Sequence, residues 1–323
     1  MSRTSQGRRE RLVIGLVNNM GDAALQTTER QFRDLARTAG GEHDVQLRLF
    51  SLPELIRGDE GRAYVAQNYE TIDSLWNEEL DGLIVTGAEP RTPTLPEESY
   101  WRSFTLLVDW ASESATPTVW SCLAAHAVVL YLDGIERRRL PEKLTGVFRC
   151  AKVADHPLLG GLPASWRLPH SRLNTLDPEP LVAAGYKIAS LSDEAGVDVF
   201  TLQRRALFVF CQGHPEYDAG TLLREYRRDV GRYLAGAMEH YPKLPHGYFD
   251  SDVSRALNRF RERAEGQRAR DLLDQFPADV ASQPAHVWRN VAVQLYSNWI
   301  SNIAERKSSS TGSGDHAPTA ACV

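Results

Sequence analysis

The sequence predicts an α/β fold, with helices flanking a largely parallel, doubly wound sheet. Three observations carry that expectation. Short apolar, β-prone runs recur up to about residue 210, helical patterns separate them, and the two chemically richest segments, around Cys122 and His214, each follow such a run. Open sheets of this class bind their ligands at the ends of their strands.

The elements follow in order. Residues 12–17 read as a first core strand, 18–25 as a loop, and 27–38 as a helix ending at Gly40-Gly41. A second strand is expected over 45–52 and a helical stretch over 64–77. Asp81-Gly82-Leu83-Ile84-Val85-Thr86-Gly87 is a buried strand opening into a loop, and 100–114 is a helix with one apolar face. The run 116–121 then leads through Cys122 into helix-forming Leu123-Ala124-Ala125-His126-Ala127-Val128-Val129-Leu130. Prolines break up 140–193, which reads as strands and loops covering one end of the sheet. A strand at 206–210 runs into Gly213-His214-Pro215-Glu216-Tyr217-Asp218, and 219–238 is strongly periodic helix. Beyond Tyr241 come a proline-rich segment, an amphipathic helix over 251–276 and another over 288–303.

At 323 residues, 42% hydrophobic and 24% charged, the chain suits one large domain with an appendage. The expected division is a flexible leader at 1–10, a single domain at 11–303 whose residues 241–303 form a C-terminal helical extension packed on it, and a disordered tail at 304–323, rich in Ser, Gly and Ala. A net charge of −5 gives no electrostatic case for nucleic acid or an anionic membrane as partner. Four cysteines (Cys122, Cys150, Cys211, Cys322) form no disulfide scaffold, and no CxxC or Cys/His spacing suggests a metal, so no metal is expected. A reducing cytoplasm follows from that cysteine usage. The apolar stretch at 12–17 is too short for a secretory signal, and nothing approaches a membrane-spanning length.

Cys122 falls on a strand-to-helix turn, where a helix N-terminus favours a thiolate and can receive an oxyanion on free N–H groups such as that of Leu123. A lone cysteine after an apolar strand is more often a small core residue. In extended chain, residues two apart point the same way, so Glu216 can orient His214. Nucleophile, base and orienter together make a triad, which is a stronger reading than any member alone. His126, one helical turn past Cys122, either perturbs the thiol or is a buried structural histidine.

These motifs, with Tyr100-Trp101, Leu140-Pro141-Glu142-Lys143, Gly146-Val147-Phe148, His156-Pro157-Leu158-Leu159, Pro169-His170-Ser171-Arg172, Glu225-Tyr226-Arg227-Arg228-Asp229 and Ser297-Asn298-Trp299, resemble the homoserine O-acyltransferases of the MetA type. The resemblance runs from about Asn18 to Trp299. It implies a fold similar to class I glutamine amidotransferases, an acyltransferase domain, and transfer of an acyl group from acyl-CoA to the hydroxyl of homoserine in methionine biosynthesis. Cys122, His214 and Glu216 match the family's catalytic positions, and Lys143, Ser171, Glu225 and Arg228 match its amino-acid pocket. No cofactor is implied, since acyl-CoA is a co-substrate, and a homodimer is compatible with the family.

The departures cluster in loops. Leu123-Ala124-Ala125-His126 replaces Trp-Gly-Ala-Gln, and the loop at Asn18-Asn19-Met20-Gly21-Asp22 lacks the family's Pro and Lys. Leu173-Asn174-Thr175 stands where His/Tyr-Thr-Glu is usual. Arg91 occupies the acyl-selectivity position, where acetyl-transferring members carry Glu and succinyl-transferring members Gly. A guanidinium there would complement a succinyl carboxylate, so succinyl is preferred over acetyl. Serine or another hydroxy amino acid is an alternative acceptor. A glutamine amidotransferase-like amidase is an alternative activity, disfavoured because Ser121-Cys122-Leu123-Ala124 lacks a Gly-x-Cys-x-Gly elbow.

Overall fold

The computed structural model describes residues 10–278 and 285–312. Its spine is a nine-stranded sheet in the order β2-β1-β3-β4-β9-β8-β7-β5-β6. The strands are β1 Arg11–Val17, β2 Asp44–Phe50, β3 Gly82–Thr86, β4 Thr118–Ser121, β5 Arg138–Lys152, β6 Ser165–Thr175, β7 Lys187–Ser192, β8 Gly196–Gln203 and β9 Leu207–Cys211. The helices are α1 Asp22–Ala39, α2 Asp59–Asn68, α3 Ile72–Leu75, α4 Trp101–Glu113, α5 Leu123–Asp133, α6 Pro178–Ala183, α7 Thr221–Leu234, α8 Ser251–Gly266 and α9 Arg289–Gly312.

From β2 to β9 every neighbouring pair is parallel, and from β9 to β6 every pair is antiparallel. The parallel block is the doubly wound core expected from the β-α alternation. The antiparallel block is what the proline-broken stretch after residue 140 builds, with β5 and β6 forming a long ribbon. Every residue of β3, β4 and β9 is buried, as strands covered on both faces require.

Alternation assigns those strands to two cores. Leu12, Ile14, Leu16, Ile84, Val119 and Val209 face one layer, which holds Phe32 and Leu35 of α1 and Trp299, Ile300 and Ile303 of α9. Leu83, Val85, Trp120, Phe208 and Phe210 face the other, against Phe104, Leu107 and Val108 of α4 and Val128 and Val129 of α5. A third, smaller core joins α7, α8 and the 3₁₀ turn Arg270–Gln275 through Tyr226, Tyr233, Phe260 and Phe276.

The C-terminal segment therefore divides. Its α8 part packs on α7, whereas α9 is a structural layer of the sheet. A Cβ on Gly82 would come within 2.5 Å of Ile303 Cδ1 and 3.2 Å of Trp299, so the helix lies directly on the backbone of β3. The expected tail at 304–323 needs correction over 304–312, because α9 continues to Gly312. Composition suggested disorder, but Ala304 is buried, and Lys307 Nζ donates to Arg11 O and to Asp81 Oδ2, each at 2.8 Å. Residues 1–9 and 313–323, where the leader and the rest of the tail were expected, lie outside the described residues. The 64–77 helix is two, α2 and α3, and the 251–276 helix stops at Gly266 before a 3₁₀ turn.

Trp299→Ala is expected to destabilise the protein by about 3–5 kcal/mol, the cost of emptying a large buried site. Urea unfolding of wild type and variant measures it. A loss under about 1 kcal/mol would mean that α9 is not a structural layer of the sheet.

Candidate active site

Cys122 caps the N-terminus of α5 with φ 51° and ψ −110°, one of two non-glycine residues with positive φ among the described residues. Its N–H donates to Cys211 O at 2.7 Å, and its carbonyl accepts from Ala125 N at 3.0 Å. This turn lifts the thiol out of the edge of β4 beside the first free N–H groups of the helix, including that of Leu123. A Cβ on Gly87 would lie 2.4 Å from Leu123 Cβ and 3.0 Å from Ala124 N, so the loop after β3 presses on the same helix end.

Next to β4 runs β9, and the turn after it supplies His214 and Glu216. His214 N–H donates to Pro169 O at 2.8 Å, and His214 Nδ1 lies 2.8 Å from Glu216 Oε1. Burial pushes the imidazole pKa down, but Glu216 and Cys122 outweigh it and hold His214 well above its ordinary range. Nδ1–H therefore serves Glu216, and the buried Nε2 makes no hydrogen bond that would divert it from Cys122. The structure brings the three expected triad residues together.

His214 stacks on Tyr217, with ring centroids 4.3 Å apart, and Tyr217 leads to the second predicted cluster. Tyr217 Oη donates to Glu225 Oε1 at 2.8 Å, Ser171 Oγ donates to Glu225 Oε2, and Lys143 Nζ lies 3.5 Å from Glu225 Oε2 and 2.8 Å from Asp229 Oδ2. Arg228 Nε donates to Asp229 Oδ1 at 3.0 Å. Burial raises the Glu225 pKa, yet Lys143, Ser171, His214 and Tyr217 hold the carboxyl below its ordinary value. Lys143 and Ser171 come from β5 and β6, Glu225 and Arg228 from α7, and all four gather at one place.

A cavity of about 270 Å³ opens at the ends of β1, β2 and β3, lined by Asn19, Arg57, Ala88, Arg91, Glu98 and Tyr100 among others. Asn19 ties its loops together, with N–H to Thr86 Oγ1 at 2.8 Å, Nδ2 to Thr86 O at 3.1 Å and Oδ1 to Leu52 N at 3.2 Å. Arg91 lines this cavity, but its side chain is exposed at the mouth, with Nη2 3.5 Å from Ile56 O. Glu89 pairs with Arg232, at 3.6 Å, rather than with Arg91.

His126 is structural. Gln212 Nε2 donates to Val197 O at 2.7 Å and its Oε1 accepts from Leu176 N at 3.1 Å, so His126 Nε2, 3.0 Å from that oxygen, is the donor. Burial pushes its pKa down to about 3, leaving it neutral. Sequence reading gave no role to Tyr217, Asp229 or Asp198. Tyr217 and Asp229 stand inside motifs already singled out, and their spacing of three from His214 and one from Arg228 was the available signal. Asp198 gave none. It joins Cys150 and His170 in a buried group whose donor atoms lie within 4.8 Å of one another, the one grouping among the described residues able to hold a metal. Ser190 Oγ already donates to Asp198 Oδ2 at 2.8 Å.

A family model described as homoserine O-succinyltransferase matches residues 1–309. The chain is 49% identical over 292 residues to a homoserine O-succinyltransferase of Rhodopseudomonas palustris, covering 90% of this chain and 88% of that one. It is 47% identical over 298 residues to one of Methylorubrum extorquens, covering 92% and 88%. The chain belongs to the homoserine O-succinyltransferase family. Among solved structures, a putative GMP synthase protein of Thermoplasma acidophilum superposes with a TM-score of 0.52 at 14% identity, covering 94% of this chain and all of that one. A glutamine amido transferase of Methylobacillus flagellatus gives 0.50 at 16%, covering 91% and 96%. The fold of this family member is thus class I glutamine amidotransferase-like. No helix among the described residues is long and apolar enough to cross a membrane.

Because Glu216 and Cys122 both raise the His214 pKa, removing either charge must lower it. In Glu216→Gln and in Cys122→Ala, the titration of His214 followed by NMR of its ring protons is expected at lower pH than in wild type. A titration that stays put in both variants would separate His214 from the other two groups.

Proposed function

We propose that this chain transfers a succinyl group from succinyl-CoA to the side-chain hydroxyl of L-homoserine through an acyl-enzyme on Cys122. The observation that carries the reading is the buried His214–Glu216 pair acting on a cysteine at a helix N-terminus, in a chain of this family.

In the first half-reaction, Cys122 sulfur attacks the thioester carbon. N–H groups at the start of α5, Leu123 first, receive the oxyanion, and the C–S bond to CoA breaks as the CoA sulfur takes a proton from His214. Acylation removes the Cys122 charge, one of the two that raise the imidazole pKa, so His214 becomes a better base at that stage. It then takes the proton from the acceptor hydroxyl, whose oxygen attacks the acyl carbon, and Cys122 leaves as thiolate. This exchange of thioester for ester needs no redox cofactor.

The acyl group is assigned to the cavity beside Gly87-Ala88, with Arg91 at its mouth as the residue first met by a donor. The acceptor is assigned to the Lys143, Ser171, Glu225 and Arg228 cluster, which Tyr217 connects to the base. Arg228 offers a fork for the α-carboxylate and Glu225 an anion for the α-ammonium. Those groups recognise an amino-acid head rather than a chain length, so L-serine is the acceptor to compare with homoserine.

The test follows free CoA with purified protein, succinyl-CoA or acetyl-CoA, and homoserine or serine. Succinyl-CoA with homoserine is expected to give the highest kcat/KM, and a higher value for any other pair overturns that assignment. Cys122→Ala should lose several orders of magnitude, since removing one member of a cooperating set costs nearly as much as removing all. Wild type mixed with acyl-CoA alone should gain one acyl mass; no adduct, with activity retained in Cys122→Ala, sinks the ping-pong scheme. Arg228→Lys should slow transfer to the acceptor at least roughly tenfold more than acyl-enzyme formation, because an ammonium cannot reproduce the fork. Equal slowing of both steps places Arg228 elsewhere.

A further inference from the structure

Cys150 of β5, His170 of β6 and Asp198 of β8 have no exposed surface, and one donor atom from each lies within 4.8 Å of the other two. Cys150 is a free thiol. His170 Nε2 stands 3.4 Å from Asp198 Oδ1, yet neither atom makes a hydrogen bond, and His170 Nδ1 also lacks a partner. Single buried donors without partners occur elsewhere, as at Arg172 Nε and Trp166 Nε1. Only here, among the described residues, do three side chains of metal-binding type bring their donor atoms so close.

The surroundings hold these atoms in place without using them. Asp198 Oδ2 accepts from Ser190 Oγ of β7 at 2.8 Å, and its carbonyl accepts from Gln212 N at 2.8 Å, so Oδ1 is oriented and left over. Such an outer hydroxyl is what fixes a ligating carboxylate before an ion arrives. A Cβ on Gly213 would lie 2.7 Å from Asp198 Oδ1 and 3.1 Å from His170 Nε2, so only glycine lets the turn before His214 rest against the donors. No lysine or arginine pairs with Asp198 among the described residues. Arg172, two residues past His170, spends Nη1 on Asn174 O at 2.7 Å and Nη2 on Ala195 O. A carboxylate with no exposure and no paired cation is costly, and a bound dication removes that cost.

We propose that Cys150 Sγ, His170 Nε2 and Asp198 Oδ1 bind one divalent cation of the zinc type. A thiolate, an imidazole and a carboxylate form a zinc set, whereas magnesium and calcium take oxygen ligands. Tetrahedral bonds of about 2 Å put neighbouring N and O ligands roughly 3.3 Å apart, close to the 3.4 Å between His170 and Asp198. The sulfur, within 4.8 Å of both, has to close to roughly 3.6 Å, and a water completes the tetrahedron. Binding releases the Cys150 proton to solvent and leaves thiolate, carboxylate and neutral imidazole around the dication, with no net charge. The ligands come from three strands far apart in sequence, so no spacing in the chain announces them. The ion joins those strands behind the base: His170 stands between Pro169, whose carbonyl holds His214 N–H, and Ser171, which donates to Glu225. It is a structural site, since none of its ligands is assigned to substrate or to the reacting atoms.

Because the site is sealed, the ion is taken up as the chain folds. The test therefore expresses the full chain in medium supplemented with zinc or with cobalt(II), and in medium depleted of both. Cys122→Ala and Cys322→Ala together form the background, which removes the two other thiols outside the buried core as rival ligands. Bound metal is measured by mass spectrometry after gel filtration in chelator. Zinc-grown protein is expected to carry about one zinc per chain and to melt above the depleted protein. Cobalt-grown protein should show a thiolate-to-cobalt charge-transfer band. Cys150→Ser should abolish that band, and Cys150→Ser and Asp198→Asn should each hold at least roughly tenfold less zinc. Protein free of metal after growth in either ion overturns the assignment. So does zinc retained undiminished in both variants, which puts the ion elsewhere. Should neither variant fold, the cobalt band of the background protein decides: Cys150 and Cys211 are then the thiols left, Cys211 stands in no such group of donors, and a missing band overturns the proposal.

Discussion

The backbone of Cys122 is the constraint on which the rest of the molecule depends. At φ 51° and ψ −110° it occupies a region that costs a non-glycine residue about 1–3 kcal/mol. Such a conformation persists only where its surroundings over-determine it. Here β4 is clamped between β3 and β9 in parallel register, Cys122 N–H is fixed to Cys211 O, and Gly87 packs on the next residue with no room for a side chain. The central strands, both covering layers and the loop after β3 all converge on one turn. Relaxing it would return the thiol to the strand's own plane, away from the His214 turn that follows the neighbouring strand.

The antiparallel half of the sheet has a different task. It carries no triad residue, yet it supplies Lys143 from β5 and Ser171 from β6, and through Pro169 O it holds the backbone of His214. Lys143, Ser171 and the backbone of His214 are therefore all held by the same ribbon. Tyr217 completes the join, stacked on His214 and bonded to Glu225. Burial, followed by Glu225 and Glu216, keeps its pKa well above the ordinary tyrosine range, so it remains a phenol and a donor. Movement of Glu225 would pass to the imidazole through a rigid ring rather than through a flexible chain.

What the sequence made legible follows from how local each signal is. Strands buried on both faces are runs of apolar residues, so β1, β3, β4 and β9 could be read directly, and with them the ends of strands where Cys122 and His214 stand. The pairing of Glu216 with His214 is a spacing of two in one short turn. By contrast, the length of β5 was hidden because Pro141 and charged residues, three arginines among them, interrupt its apolar pattern, and only pairing with β6 makes it a strand. The end of α9 was hidden because Lys307 is anchored by Asp81 and the Arg11 carbonyl, far away in sequence.

Charge balance accounts for the acceptor cluster's chemistry on the proposed reading. Lys143 and Arg228 face Glu225 and Asp229, two cations against two anions, in a partly buried setting where an unpaired charge is expensive. Nearby Arg232 and Glu89 form a further balanced pair. A free carboxylic acid or a simple amine entering this cluster would leave one charge uncompensated. A zwitterionic amino-acid head adds one of each sign, its carboxylate taking a share of Arg228 from Asp229 while its ammonium takes a share of Glu225 from Lys143. The cluster is thus neutral before and after binding, and this selects α-amino acids over singly charged alcohols without any contact to the reacting hydroxyl. On the same proposed reading, that hydroxyl is chosen by position alone, through its reach to His214 and to an acyl carbon on Cys122.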